Sequence, residues 1–563
     1  MGAFYQNPPS LDNQYTGDVV LRDYLAWRLP KSIHQAIEAD LTQLGERVVT
    51  DIYQLGQQAE SSPPKHIPYD AWGKRIDHIE VSHAWQALDK IAAEEGLVAI
   101  GYQRQHGIWS RVYQFCKLYL FHPSSAIYTC PLAMTDGAAR AIELYGDDAL
   151  KKEALTHLTS TNPEEFWTSG QWMTERTGGS DVSGTSTIAV HVKDNRYHLS
   201  GDKWFTSATT SQMAMTLARI EGAEQGSKGL SLFYLPLRDE HGQLNGIQIN
   251  RLKDKLGTKA LPTAELTLIN ANAKLVGEPG NGVKKIASLF NITRIYNACC
   301  AVGYMRRAIA LASDYAQKRQ AFGRLLSEQS LHVETLATMQ LAFEAGFHLV
   351  FHAVELLGKE ELGQASEDES KVLRLLTPLI KLFTAKQAIM VVSEALEAFG
   401  GAGYVEDTGL PQLLRDAQVL SIWEGTTNIL SLDALRAIAK EKAAEPFFVD
   451  MRQRLATIEH PTLQAAKNNT EQAILALQTY FGDLHQQTTD EQQRCARELA
   501  FSLTRTYAAT LLLEQAQWAN QSDASSRCLT VTRRWCAQPL VTIETYDAHY
   551  HTQSKELLWP NQP

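Results

Sequence analysis

The sequence predicts an α+β fold: a helical domain over residues 1–165, a β-barrel over 166–280, a four-helix bundle over 281–440 and a helical extension over 441–563. Two changes of hydrophobic period predict this order, from helical spacing to short β-rich runs near 166 and back again near 281. Length supports the division, because 563 residues exceed what one core organises.

In the first domain, Trp85 to Ala99 repeats apolar residues at helical spacing, and Ala138 to Leu155 is amphipathic with a break at Gly146-Asp147-Asp148. Ser61-Ser62-Pro63-Pro64 is a stiff polar loop between helical pieces. In the second, Ser186 to Val192 and Arg196 to Ser200 flank Lys193-Asp194-Asn195 and read as a hairpin. Leu230 to Leu235 and Ala264 to Ile269 are further strands, and short strands joined by turns suit a compact barrel. In the third, Val302, Met305, Ile309, Ala312 and Ala316 fall at steps of three and four, as do Met339, Phe343, Phe347, Val350, Val354 and Leu357. A third helical run, Lys371 to Phe399, stops at Gly400-Gly401, and Pro378 inside it predicts a kink or a fresh start. A fourth helix begins beyond Thr426. Long amphipathic helices with short joins make a four-helix bundle. The extension is helical again from Glu491 to Trp518.

Composition is that of an ordinary globular protein, 44% hydrophobic and 21% charged. The net charge of -10 disfavours phosphate backbones and anionic lipid. No run of 18 apolar residues predicts a transmembrane helix, and Met1 to Gln6 lacks the pattern of a secretory signal. A cytoplasmic protein is expected. The seven cysteines are odd in number and form no CxxC, so neither a disulfide framework nor a metal site is expected. Cys299-Cys300, in an apolar helical stretch, read as buried thiols.

The chemistry concentrates in Ser421-Ile422-Trp423-Glu424-Gly425-Thr426-Thr427-Asn428. An aromatic neighbour desolvates a carboxylate and makes it a stronger base, while a glycine lets a substrate approach the backbone beside it. Alone, such a tripeptide is a surface turn. Its company changes that reading: Met173-Thr174-Glu175 with Gly178-Gly179-Ser180-Asp181-Val182, then Lys203-Trp204-Phe205-Thr206-Ser207 and Arg319-Gln320-Ala321-Phe322-Gly323, then Gly400-Gly401-Ala402-Gly403-Tyr404 and Leu414-Arg415-Asp416-Ala417. In that order and spacing, residues of about 60 to 440 resemble the flavin-dependent acyl-CoA dehydrogenase family. The run Pro64 to Asp77 and the final extension resemble its AidB-like, alkylation-response branch.

The resemblance implies an FAD-dependent enzyme that oxidises an acyl-CoA at its α and β carbons. Glu424 would take the α-proton and flavin N5 the β-hydride, with the thioester oxygen held by the Glu424 N–H and a ribityl hydroxyl. Some members place the base just before the first bundle helix's Arg. That pair here is Thr293-Arg294, and Thr cannot be the base, so Glu424 is the candidate and Arg294 the cation beside it.

For the flavin, Thr174 would meet the pyrimidine edge and Ser180 the pyrophosphate, with Met173 among the cofactor-binding residues and Gly178 and Gly179 permitting close approach. Trp204 would cover the ring and Thr206 would bond near N5. Arg319 would hold the pyrophosphate and Phe322 line the adenosine pocket, while Gly400, Gly401, Thr426 and Asn428 complete the site. Glu397, Ser330 and Asn428 stand where many members have Gln.

In the family, Arg319 and the Gly400 region serve a neighbouring subunit's flavin. At least a dimer, and by resemblance a homotetramer, is therefore expected, with an electron-transferring flavoprotein as redox partner. A second reading, a flavoprotein that binds and protects DNA, follows from the branch's name. The eleven Lys/Arg against fourteen Asp/Glu from residue 441 onward argue against it, Arg533-Arg534 and Arg452-x-Arg454 being the only tight basic pairs. A nitroalkane-oxidising relative would carry Asp where this chain has Glu424.

Overall fold

The computed structural model describes residues 4–484, 487–521, 526–543 and 550–560. The N-terminal helices include Val19–Arg28, Lys31–Arg47, Asp51–Ser61, His83–Glu94, Ser110–Phe121 and Thr129–Tyr145. Asp18 starts the first by accepting the N–H groups of Val20 and Leu21, each at 3.0 Å. The predicted break at Gly146 is present. Asp147 restarts the helix by accepting the Leu150 N–H at 2.7 Å.

Inside this helical domain lies a hairpin that the sequence reading left out, β1 (Lys65–Tyr69) and β2 (Arg75–Glu80). It docks on the barrel through side chains. Asp77 accepts the Ile249 N–H at 3.2 Å and Arg75 donates to the Ile249 carbonyl at 2.8 Å, so two side chains stand in for a neighbouring strand at that edge.

The middle domain comprises β3 (Ser169–Trp172), β4 (Ile188–Lys193), β5 (Arg196–Ser207), β6 (Met213–Ile220), β7 (Leu230–Pro236), β8 (Ile247–Leu252) and β9 (Thr263–Leu275). Pairings run β3-β6-β4-β5-β9-β7, and β7 returns to β6, which closes the sheet into the expected barrel. The hairpin β4–β5 forms, with Asp194 at φ 51 in its turn. The sequence reading missed β6. Its run Met213 to Ile220 is almost wholly buried and so shows no alternation to mark a strand.

The four bundle helices are Gly282–Ala316, Ser330–Glu361, Glu367–Ala398 and Thr427–Glu441. Ser366 and Glu369 form a capping box at the start of the third. That helix passes through Pro378 without the fresh start expected, because the turn around Pro378 is buried among apolar neighbours that hold it helical. By length and composition the second and third helices could cross a membrane, which the apolar-run count did not register; their apolar windows are 100% and 78% buried. Those faces are spent on each other and on the rest of the bundle.

The extension adds Ala444–Ala456, Gln464–Leu484, Thr489–Gln521 and Arg527–Cys536. It lies against the second bundle helix, where Tyr507 bonds His352 at 3.0 Å and Arg527 pairs with the fully buried Glu344. All seven cysteines are free and buried.

Candidate active site

Glu424 sits in the turn between helix Leu410–Val419 and the fourth bundle helix, with φ 56, and Gly425 follows at φ 101. Both values lie in the left-handed region. A non-glycine residue there is strained and needs its surroundings to hold it. The surroundings do so. Thr293 Oγ1 donates to one carboxylate oxygen at 2.7 Å, and Gln171 Nε2, on β3, reaches the other at 3.4 Å. Lys381 Nζ, from the third bundle helix, donates to the carbonyls of Trp423 at 2.7 Å and Gly425 at 2.6 Å. Three elements, one from the barrel and two from the bundle, thus converge on one turn.

Arg294 lies beside Glu424 as expected, but its charge goes elsewhere. Its Nε touches the Glu424 carbonyl at 3.3 Å, while its Nη1 pairs with Asp433 at 2.8 Å, and Asp433 also pairs with Arg374. The carboxylate is held by the hydroxyl and the amide rather than by the guanidinium. Two polar atoms at this seam, Gln171 Oε1 and Trp423 Nε1, are buried without a partner among the described residues. Such atoms fit a site whose ligand completes them.

A buried ion pair shapes the barrel's side of the site. Lys203 bonds Glu175 at 2.9 Å, and the same carboxylate accepts from Ser186 and Thr187. Burial alone would raise the Glu175 pKa, but Lys203 and these donors bring it down to about 2. The pair locks the turn after β3 against β5, so that the Trp204 N–H bonds the Thr174 carbonyl at 3.0 Å. A Cβ on Gly179 would stand 2.6 Å from Thr174 Oγ1, so that close approach requires glycine. Ser180 is exposed, and the Trp204 ring is half-buried between Arg176 and Lys253.

Two candidates on this side have their side chains engaged within the fold. Thr206 is fully buried, and its hydroxyl donates to the Ala264 carbonyl at 2.8 Å, across the barrel ladder. The Met173 side chain is buried in the apolar core between barrel and helices, which leaves only its backbone for a contact.

The remaining candidates stand apart. Arg319 follows the first bundle helix, and Phe322, at φ 52 and 100% exposed, tips the small hairpin β10 (Gln320–Ala321) and β11 (Arg324–Leu325). Tyr315 and Phe399 pack ring to ring at 4.6 Å, which joins this hairpin to exposed Gly400 and Gly401. The cluster lies at the far end of the helix that carries Thr293, about 35 Å away at 1.5 Å per residue. Thr426 is exposed at the head of the fourth bundle helix. Asn428, two residues on, accepts from Arg497 of the extension at 3.2 Å. One chain therefore places Arg319, Phe322, Gly400 and Gly401 out of reach of its own Glu424.

Sequence reasoning named Glu424 but not the groups that hold it. Thr293 has no carboxylate to act as a base, and Gln171 lies in strand β3 with no motif around it. Lys381 had a readable signal, as the one charge in the apolar run Leu379-Ile380-Lys381-Leu382-Phe383.

Comparison with known proteins agrees with this architecture. Residues 280–439 match the acyl-CoA dehydrogenase C-terminal domain and 170–271 its middle domain. Residues 6–164 match the N-terminal domain of the adaptive response protein AidB, and 442–559 match the acyl-CoA dehydrogenase 11 C-terminal domain-like family. The chain is 44% identical to acyl-CoA dehydrogenase family member 11 of Caenorhabditis elegans, over 100% of this chain and 93% of that protein. It is 32% identical to the putative acyl-CoA dehydrogenase AidB of Escherichia coli K12, over 71% of this chain and 74% of that one. The crystal structure of C. elegans ACDH-11 in complex with C11-CoA superposes with a TM-score of 0.97 at 44% identity, covering 100% of this chain and 97% of that one. This chain belongs to the acyl-CoA dehydrogenase family, in its AidB-like branch.

Proposed function

We propose that this protein is an FAD-dependent acyl-CoA dehydrogenase in which Glu424 removes the α-proton of an acyl-CoA thioester. One observation carries the reading: a strained glutamate at the barrel–bundle seam whose two oxygens are each aimed by a neutral donor, Thr293 and Gln171. Neutral donors orient a carboxylate without tying it into an ion pair, so it stays free to accept a proton. The Glu424 N–H, which donates to no described residue, is the chain's own donor for the thioester oxygen as negative charge develops there. The relative that binds C11-CoA is similar along the whole chain, which supports a fatty acyl-CoA as the substrate class.

The residues present fit FAD. Thr174 with the Gly179 approach, Ser180 and half-buried Trp204 would hold the flavin end, and the orphaned Gln171 Oε1 and Trp423 Nε1 offer polar partners nearby. Arg319, Phe322, Gly400 and Gly401 would hold the other end from a second copy, since their own Glu424 is too distant. A shared site makes the oligomer, a homotetramer by analogy with the family, a condition for cofactor binding. When bound, FAD supplies the acceptor for the β-hydride. Glu424 keeps the α-proton, and the α,β-unsaturated thioester leaves. An electron-transferring flavoprotein is the partner the family suggests for reoxidation.

The test is anaerobic mixing of the purified, FAD-loaded protein with saturated acyl-CoAs of graded length. The wild type should bleach its flavin, and Glu424→Gln should bind FAD and acyl-CoA yet bleach about 10²–10⁴-fold more slowly. Bleaching of the variant at the wild-type rate would refute the role of Glu424.

A further inference from the structure

Lys381 is fully buried on the third bundle helix, and among the described residues no carboxylate lies within ion-pair distance of it. An uncompensated buried ammonium is costly unless its protons are well used. Among the described residues its hydrogen bonds go to two main-chain oxygens, those of Trp423 and Gly425, at 2.7 and 2.6 Å. Burial pushes its pKa down to about 7; the Glu424 carboxylate pulls it the other way and Arg294 adds to the depression.

We propose that Lys381 is a positioning residue for the reaction, fixing and polarising the peptides on either side of Glu424 so that the Glu424 N–H is aimed at the thioester oxygen. This rests on the reading of Glu424 and its N–H given above. In a trans peptide the C=O and N–H point in opposite directions. A cation on the Trp423 carbonyl therefore sets the Glu424 N–H on the far side, and the charge-assisted bond draws electron density from that amide. The Gly425 carbonyl does the same for the Thr426 N–H. Between them, Arg294 Nε on the Glu424 carbonyl, at 3.3 Å, does so for the Gly425 N–H. Three consecutive carbonyls thus face two cations, in a turn whose residues 424 and 425 both have left-handed φ values.

Two variants of the full-length protein separate tether from charge. Lys381→Met removes both, whereas Lys381→Gln keeps one neutral donor to the carbonyls. The first measurement needs no ligand: backbone hydrogen exchange across 421–428. It should be about tenfold faster in the Met variant and near wild type in the Gln variant. The second uses a β-ketoacyl-CoA, whose enolate absorbs in the near ultraviolet and reports stabilisation of the oxygen without flavin reduction. Both variants should lower the ratio of bound enolate to bound keto form by about tenfold, because a donor is weakened rather than removed.

Wild-type exchange and a wild-type enolate ratio in the Met variant would overturn the proposal. So would an undiminished enolate ratio in the Gln variant, which would assign the tether alone. A wild-type protein that binds no acyl-CoA would instead sink the dehydrogenase reading, and the exchange measurement would still decide whether Lys381 holds this turn.

Discussion

The two ends of the helical bundle are built on opposite plans. At the Glu424 end the chain holds its own turn: Thr293, Gln171, Lys381 and Arg294 each hold a named atom of it, and the Lys203–Glu175 pair locks the loop across the seam. At the Arg319 end, about 35 Å along the same helix, the groups are left open. Phe322 and Tyr404 are 100% and 90% exposed, and among the described residues the Arg319 guanidinium bonds Gln6 alone, at 3.3 Å. Exposed aromatics beside a cation and flexible glycines carry little energy for the fold that bears them. On the proposed function, the difference separates the half of the cofactor site that the protomer folds for itself from the half it would offer to another copy.

That contrast can be broken in several ways, beginning with the largest expected effect. Glu175→Gln leaves the Lys203 ammonium buried without its counter-ion and should destabilise the protein by about 3–5 kcal/mol, read by denaturant unfolding. A loss below 1 kcal/mol would mean that the locked end is not locked by this pair. Arg319→Ala should leave unfolding unchanged within about 0.5 kcal/mol but weaken FAD binding by about 10- to 100-fold, as a lost charge-assisted contact does. Flavin titration followed by fluorescence checks it, and undiminished affinity would remove Arg319 from the site.

Thr293→Val deletes the shorter bond to Glu424 and should slow flavin bleaching by about tenfold, the cost of one hydrogen bond to a charged group. A pH effect comes next. Asp416, in the helix that leads into the Glu424 turn, accepts the Thr258 N–H at 2.5 Å. Burial, and then neighbouring Glu60, raise its pKa to about 7. A folded value above the unfolded one lends stability that is full below the ordinary carboxylate range and is lost as pH rises through about 7. The thermal midpoint of Asp416→Asn should therefore gain on the wild type between pH 5 and pH 8. A constant gap would contradict the shift.

The smallest effect concerns DNA. Arg534 is paired with Glu334, Arg452 with Glu445 and Arg454 with Asp450 and Glu514, while Arg533 Nε reaches the Thr462 carbonyl. Reversing Arg533 and Arg534 to Glu should leave weak duplex binding at physiological salt unchanged. A salt-sensitive affinity abolished by that reversal would revive the DNA-protecting reading.

The sequence was legible where local rules decide. The helical periods, the Lys193–Asn195 turn and the motifs around Thr174, Trp204 and Glu424 could all be read from neighbours in the chain. It was opaque where distant residues decide. Strand β6 hides because both its faces are buried, and the hairpin at Lys65–Glu80 makes sense only beside Ile249, which it caps. Pro378 left a kink or a fresh start open, and tertiary packing excludes the fresh start. The Thr206 hydroxyl's bond to the Ala264 carbonyl, across the ladder, is likewise invisible from its own motif. The partners of Glu424 come from positions 171, 293 and 381, and no local pattern links them.

The claim that FAD is shared between copies meets its most direct test in mixed oligomers. Subunits carrying Arg319→Ala and differently tagged subunits carrying Glu424→Gln would be co-expressed, and the doubly tagged species isolated. In a mixed pair, one site joins an intact Glu424 to an intact Arg319 from its neighbour, so about half of the sites should bind FAD tightly and bleach fast with acyl-CoA, whereas one parent binds FAD weakly and the other bleaches slowly. A mixed species no more active than its parents would show that each chain builds its site alone.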